Sequence, residues 1–391
     1  MKRVAHPVRR PERFLVFGQP CIEPADVAAV ADSLNARWLG TGPKVARFER
    51  AIAGYKGAAH AVAVNSCTAG LHLACVALGL RPGDEVVTTA LTFCATVNAI
   101  IHSGATPVLA DVDPLTMNVD PRRIEAAITP RTRAILVVHF AGRPCEMDEI
   151  LEIARQHGLE VVEDCAHAIE TEYRGRAAGT MGVIGVLSFY ATKNLTTGEG
   201  GMVLTGSEAI AARVKQLSLH GLTADAWSRF SDAGYKHYFA TELGFKYNMT
   251  DLQAAIGLAQ LERLERYAER RRHLWARYCE ALADTPLELP APELPGTRHA
   301  RHLFTVQVDA ARCGLSRDEF LELLTAHHIG AGVHYLSIAE HPYYRRTFGW
   351  RPEAWPNARR IGQQTLSLPL SGCLGDEDAD DVIQAVRDIL S

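Results

Sequence analysis

The sequence predicts an α/β protein: a large domain over residues 15–250 with a mostly parallel central sheet, and a smaller C-terminal αβ domain over 251–391 that starts with a linking long helix. Three observations predict it. Short apolar runs alternate with helical stretches from about residue 60 to residue 250. The runs are nearly all apolar, as strands are when helices cover both faces of a parallel sheet. A loop over 286–295, with prolines at 286, 290, 292 and 295, then leads into a second, shorter strand–helix pattern.

The strands expected in the large domain are residues 61–64, 85–89, 107–111, 134–138, 160–164, 186–189 and 202–205. Helices are expected between them, among others at 68–78, 94–103 and 148–156. Residues 250–284 read as one long helical segment whose apolar residues include Leu252, Ile256, Leu261, Leu264, Trp275 and Tyr278. The charged run Glu265 to Arg272 on it is expected to form a solvated face. The smaller domain is expected to hold strands at 304–308 and 331–335 and helices at 317–327 and 376–389.

Composition limits the function. A chain of 391 residues is long enough for two sizeable cores. A hydrophobic share of 47% with 22% charged residues is that of a globular protein. The net charge of -4 gives no electrostatic case for nucleic acid or a membrane surface. No apolar run is long enough to span a bilayer, and the basic start has no apolar stretch behind it, so a cytoplasmic protein is expected. The nine scattered cysteines include no C-x-x-C pair and are expected to be reduced thiols, with no metal site. There is no Walker A loop, no G-x-G-x-x-G, no G-x-S-x-G and no H-E-x-x-H.

Four groups of residues carry chemistry. Lys193 follows the apolar run Val186 to Tyr190, just past a strand end. An amine that loses solvation there moves toward neutrality and can attack an aldehyde. An ordinary turn lysine is the plain alternative. Asp164 ends another strand, where a buried carboxylate needs a cationic or hydrogen-bonding partner. A protonated pyridine nitrogen would serve, and holding it protonated makes the ring an electron sink. His167, three residues on, is either a core histidine or a contact to such a ring. Ser66, Cys67, Thr68 and Ala69 begin a helix after a strand, which makes either a plain cap or a phosphate site. Phe93 stands where it could stack on a flat ring, and Ser188 where its hydroxyl could reach a phosphate.

The order of these groups resembles the fold-type I pyridoxal phosphate transferases. The wording resembles one family among them, the DegT/DnrJ/EryC1/StrS sugar aminotransferases. It is carried by Trp38-Leu39-Gly40-Thr41-Gly42-Pro43, Asn65 to Ala69, Thr92-Phe93, Glu163 to His167, Ser188 to Gly201, Tyr247 to Gly257 and Gly332 to Tyr335. The resemblance implies pyridoxal 5'-phosphate bonded to Lys193, paired with Asp164 at its ring nitrogen and held at its phosphate by Thr68, Ala69 and Ser188. It implies pyridoxamine 5'-phosphate as the form that carries the amino group. It also implies a homodimer in which Asn248 reaches the neighbouring subunit's phosphate. Many members have Gln where His167 stands, so the contact to the ring hydroxyl stays open.

The implied reaction moves an amino group from L-glutamate to a nucleotide-linked keto-sugar by a ping-pong route, with C4 of a dTDP-4-keto-6-deoxyhexose as the expected position. His220, Tyr238, His334 and Tyr335, together with the segment 227–238, are the candidate sugar and nucleotide contacts. Amination at C3 or of a cyclitol ketone is the near rival. A lysine at 193 disfavours the related dehydratases, which carry histidine there. A non-catalytic binder and an aldolase-type lyase are the remaining readings.

Overall fold

The computed structural model describes residues 7–223 and 237–391. Seven strands form the main sheet, in the spatial order His60–Val64, Gly201–Thr205, Ile184–Ser188, Glu160–Cys165, Thr132–Val138, Glu85–Thr89, Thr106–Ala110. The last five are mutually parallel, and only Gly201–Thr205 runs against its two neighbours. Parallel strands need crossovers, and helices supply them on both faces. Leu71, Leu73, Ile100, Val214 and Leu217 cover one face, while Ile150 and Ile153 cover part of the other. Phe48, Ile52 and Leu264 extend that second layer. The strand ends at Val64, Thr89, Val138, Cys165 and Ser188 therefore open on one edge, where ligands of such sheets bind.

The 250–284 segment is two helices, Asp251–Leu261 and Leu264–Ala281, not one. Thr250 and Gln253 form a capping box at the start of the first. That helix packs on Pro24–Asn35 and Pro43–Lys56. Gly257 lets it approach Phe48, because a Cβ there would lie 2.5 Å from the ring. The second helix sends Leu274 and Tyr278 into a separate core with Phe304, Val306, Phe320 and Val386. Its charged run is not simply a solvated face. Arg271 is 2% exposed and ion-paired with the buried Glu170, so one arginine of the run points inward.

Phe304–Gln307 pairs with Thr365–Leu368 in a two-stranded antiparallel sheet. The strand expected at 331–335 does not form. Only Gly332 bridges Ser367, and the chain then turns to send His334 and Tyr335 elsewhere. The cysteine expectation also needs correction, because Cys21 and Cys373 are joined in a disulfide with Cα atoms 5.6 Å apart. They are 352 residues apart in sequence, so no local spacing marks the pair. The other seven cysteines are free. No described helix is long and apolar enough to cross a membrane.

Gly257→Ala places a methyl group against the Phe48 ring, and overpacking of this kind costs about 1–3 kcal/mol. A urea titration should show a lower midpoint. An unchanged midpoint would mean that the Asp251–Leu261 helix slides away from Phe48 without loss.

Candidate active site

A cavity of about 600 Å³ lies at the carboxyl edge of the sheet. Ser66, Cys67, Thr68, Phe93, Asp164, His167, Ser188, Lys193, His334 and Tyr335 all line it, so most of the expected site residues come together.

The helix Cys67–Ala77 starts here. The Ser66 hydroxyl caps it by accepting the Ala69 N–H at 3.1 Å. The Ala69 amide is thus occupied, and the Cys67 and Thr68 amides are the first-turn donors left over. Gly201 makes this placement possible. A Cβ on it would stand 2.7 Å from the Cys67 nitrogen and from the Ser66 carbonyl group. Cys67 itself is half-buried, and desolvation raises its thiol pKa well above the usual value.

Asp164 is buried and held from two sides. One oxygen accepts the Ala166 N–H at 3.0 Å, the other the Thr96 hydroxyl at 2.8 Å. Since Thr96 gives its hydrogen to Asp164, the Thr92 hydroxyl must be the donor in the 2.8 Å Thr92–Thr96 bond. Burial raises the Asp164 pKa, while the Ala166 and Thr96 bonds and Lys193 oppose the rise. No described cation is ion-paired with this carboxylate.

Lys193 sits in the loop beyond Ile184–Ser188, with its N–H bonded to the Tyr190 carbonyl at 2.9 Å. Burial of the amine lowers its pKa to about 8, with Cys67 and Asp164 pulling the other way. Phe93 precedes the Cys94–His102 helix, is 55% exposed and lies 5.7 Å from the Tyr335 ring. The Ser188 hydroxyl lines the same wall and accepts the Tyr190 N–H at 3.4 Å.

His167 is fully engaged. Its Nδ1 accepts the Ala141 N–H at 3.2 Å, so Nε2 carries the hydrogen and donates it to the Tyr335 oxygen at 3.1 Å. Burial holds its pKa well below the usual value, and Lys193 adds to the effect. His334 bonds Ser367 through Nδ1 at 2.8 Å, and burial brings its pKa to about 4.

Four expected residues are not on the cavity wall, and the first is Ala69, whose amide is already given to the Ser66 hydroxyl. His220 is exposed. Tyr238 lies outside the wall too, and residues 227–236 of the expected contact segment fall outside the described residues. Asn248 instead donates to the Thr41 hydroxyl at 2.6 Å and accepts from Lys246 at 2.7 Å. Sequence reasoning missed Phe17 and Gly18, Thr92 and Thr96, and His302. The i, i+4 spacing of the two threonines beside Phe93 was a usable signal; the others have none nearby.

His139, Glu163 and Cys165 cluster tightly enough to suggest a metal. Hydrogen bonds already occupy two of the three, His139 and Glu163. Glu163 accepts from Gly179, Met181, Gly182 and His139, and His139 Nδ1 accepts the Cys145 N–H. No lone pair of the imidazole is left for an ion.

The cavity fits pyridoxal phosphate by its own chemistry. It offers free helix amides for a phosphate, a buried carboxylate without a cation for a ring nitrogen, an aromatic wall, and an amine near neutrality for an aldehyde.

The sequence profile of the DegT/DnrJ/EryC1/StrS aminotransferase family matches residues 20–387. The chain is 48% identical over 385 residues to the spore coat polysaccharide biosynthesis protein SpsC of Bacillus subtilis, covering 98% of this chain and 99% of that one. Among solved structures, Spr1654 of Streptococcus pneumoniae, described as a sugar aminotransferase and solved in a PLP-form, superposes with a TM-score of 0.89 at 30% identity, over 96% of this chain and 98% of that one. DesI, solved in the presence of its TDP-sugar product, superposes with a TM-score of 0.87 at 34% identity, over 98% of this chain and 94% of that one.

Two outcomes follow from the geometry. Reductive trapping of an aldehyde on Nζ of the cofactor-free chain should rise with pH and level off above about 8. Peptide mapping of the borohydride-reduced protein across a pH series reads this, and a plateau near the ordinary lysine value of about 10.4 would contradict it. Gly201→Ala should push the helix start away from the sheet and weaken pyridoxal phosphate retention at least tenfold (about 1.4 kcal/mol). Equilibrium dialysis checks that loss.

Proposed function

The chain belongs to the DegT/DnrJ/EryC1/StrS aminotransferase family, and we propose that it moves an amino group from L-glutamate to C4 of a dTDP-linked 4-keto-6-deoxyhexose. The observation that carries this reading is the meeting of Lys193 and Asp164 in one cavity beneath the open start of the Cys67–Ala77 helix. The likeness to DesI supports the nucleotide-linked substrate, and the likeness to SpsC supports an aminosugar destined for a polysaccharide.

When bound, pyridoxal phosphate supplies an aldehyde that holds the reacting amine and a ring that accepts electrons when a proton leaves the neighbouring carbon. The protein does the rest. The Cys67 and Thr68 amides, with the Ser66 and Ser188 hydroxyls, hold the phosphate. Asp164 keeps the ring nitrogen protonated, and the Thr96 hydroxyl and Ala166 amide keep Asp164 ionised and aimed. Phe93 lies along the ring. His167 acts through Tyr335 more than on the cofactor, because its hydrogen is already given to the tyrosine oxygen. Lys193 Nζ removes the α-proton of glutamate in the first half-reaction and returns a proton to the sugar carbon in the second. An amine with a pKa near 8 suits both tasks, since each protonation state is well populated close to neutral pH. Both substrates use this cavity in turn, which gives ping-pong kinetics.

In this reading the protein is a cytoplasmic homodimer, built of parts 15–250 and 251–391, and each subunit lends Asn248 to its neighbour's phosphate site. The absence of Asn248 from its own cavity wall agrees with a role across the interface.

Lys193→Ala should fold, bind pyridoxal phosphate without the covalent link, and lose at least about 10³-fold in turnover, the order expected when the group that moves the proton is removed. Product analysis with glutamate and a panel of 4-keto, 3-keto and cyclitol ketones tests donor, ring position and reaction together. Turnover of a 3-keto sugar alone would move the assignment to C3. Asn248→Ala should release cofactor faster from the dimer. In mixed dimers with Lys193→Ala subunits, retention should fall at the site facing the altered asparagine. Loss at the subunit's own site would remove the role across the interface.

A further inference from the structure

His302 lies just before the Phe304–Gln307 strand and lines the cavity, yet the reaction described above does not use it. Its Nδ1 is 3.0 Å from the Asn194 side-chain oxygen. Asn194 follows Lys193 directly. Its amide nitrogen donates to Glu170 at 2.9 Å and to the Ala300 carbonyl at 3.1 Å. Both partners only accept, so the amide cannot turn over without setting oxygen against oxygen. Glu170 is fixed in turn by its ion pair with Arg271, and both residues are 2% exposed. The asparagine oxygen must therefore face His302, and His302 Nδ1 must carry the hydrogen. That leaves Nε2 as a bare acceptor, with no donor to it among the described residues.

Tyr335 is set the opposite way. It accepts the His167 hydrogen and so must give its own elsewhere. The His302 ring packs 4.5 Å from His167, which stacks on Tyr335. An acceptor nitrogen and a donor hydroxyl thus flank one imidazole on the cavity wall. A carboxylate satisfies only the donor and an ammonium only the acceptor. A polyol, whose hydroxyls both give and take, satisfies both.

We propose that His302 reads a hydroxyl of the sugar substrate through Nε2, and that the Arg271–Glu170–Asn194 relay is the positioning element that fixes it as an acceptor. The inference rests on the sugar-aminotransferase reading for its substrate. Burial supports it, because it keeps His302 neutral beside Lys193.

Binding of dTDP-glucose, UDP-glucose and the free nucleotides to the cofactor-loaded protein, measured by calorimetry, tests the inference without turnover. His302→Phe keeps a ring against His167 and removes the acceptor. It should weaken the better-bound sugar nucleotide about tenfold and the matching free nucleotide less than twofold. His302→Gln, which keeps an acceptor, should recover most of the loss. Asn194→Leu removes the oxygen that fixes the tautomer, and should weaken the same sugar nucleotide while the free nucleotide stays within twofold. Equal weakening of sugar nucleotide and free nucleotide in His302→Phe, or no rescue by Gln, would reduce His302 to packing. Failure of the unaltered protein to bind either sugar nucleotide overturns the proposal as well. A protein that binds sugar nucleotides through His302 but aminates no ketone would sink the enzyme reading alone.

Discussion

A carboxylate buried without a cation is the constraint on which this site depends. Asp164 ends its strand inside the protein, where an isolated charge is costly, and its neighbours offer an amide, a hydroxyl and the more distant Cys67 thiol. The first two lower the cost without cancelling the charge. The residual field favours a cationic ring atom in the cavity. With Cys67 it also opposes the burial that draws the Lys193 pKa down to about 8. The two groups face one cavity, and the parallel sheet supplies the match by ending both of their strands on one edge.

The same economy governs the histidines. His167, His302 and His334 all line the cavity, and burial is the first cause holding each below its usual pKa, with Lys193 next in each case. Neutral imidazoles can sit beside an amine without repelling it, and each then has one nitrogen to give from and one to receive with. Which nitrogen does which is settled outside the cavity, by the Ala141 amide for His167 and by Asn194 for His302. The polarity of the wall is thus set by groups that do not line it.

Much of this was legible in the sequence. Each strand of the main sheet announced itself as a short, mostly apolar run, and Lys193, Asp164, Ser66 and Phe93 stand at or just beyond the ends of such runs, so their shared edge follows from the fold class. What was not legible depends on contacts between distant segments. The run Glu265 to Arg272 looks uniformly solvated because periodicity cannot say that Arg271 alone meets a buried glutamate 101 positions earlier. The joining of Cys21 to Cys373, the two helices within 250–284 and the loss of the strand at 331–335 are likewise decided by packing partners, not by local preference.

Arg271 shows why a buried ion pair belongs here. Such pairs seldom add net stability, since desolvation offsets the attraction. A hydrophobic replacement of similar volume could hold the helix Leu264–Ala281 in place equally well. It could not orient Asn194. Glu170 divides its two oxygens between Arg271 and Asn194, so the arginine sets the carboxylate, the carboxylate sets the amide, and the amide sets the tautomer of His302. The charge is therefore better understood as specifying direction than as holding the fold together. It links a helix outside the main sheet to the residue beside Lys193.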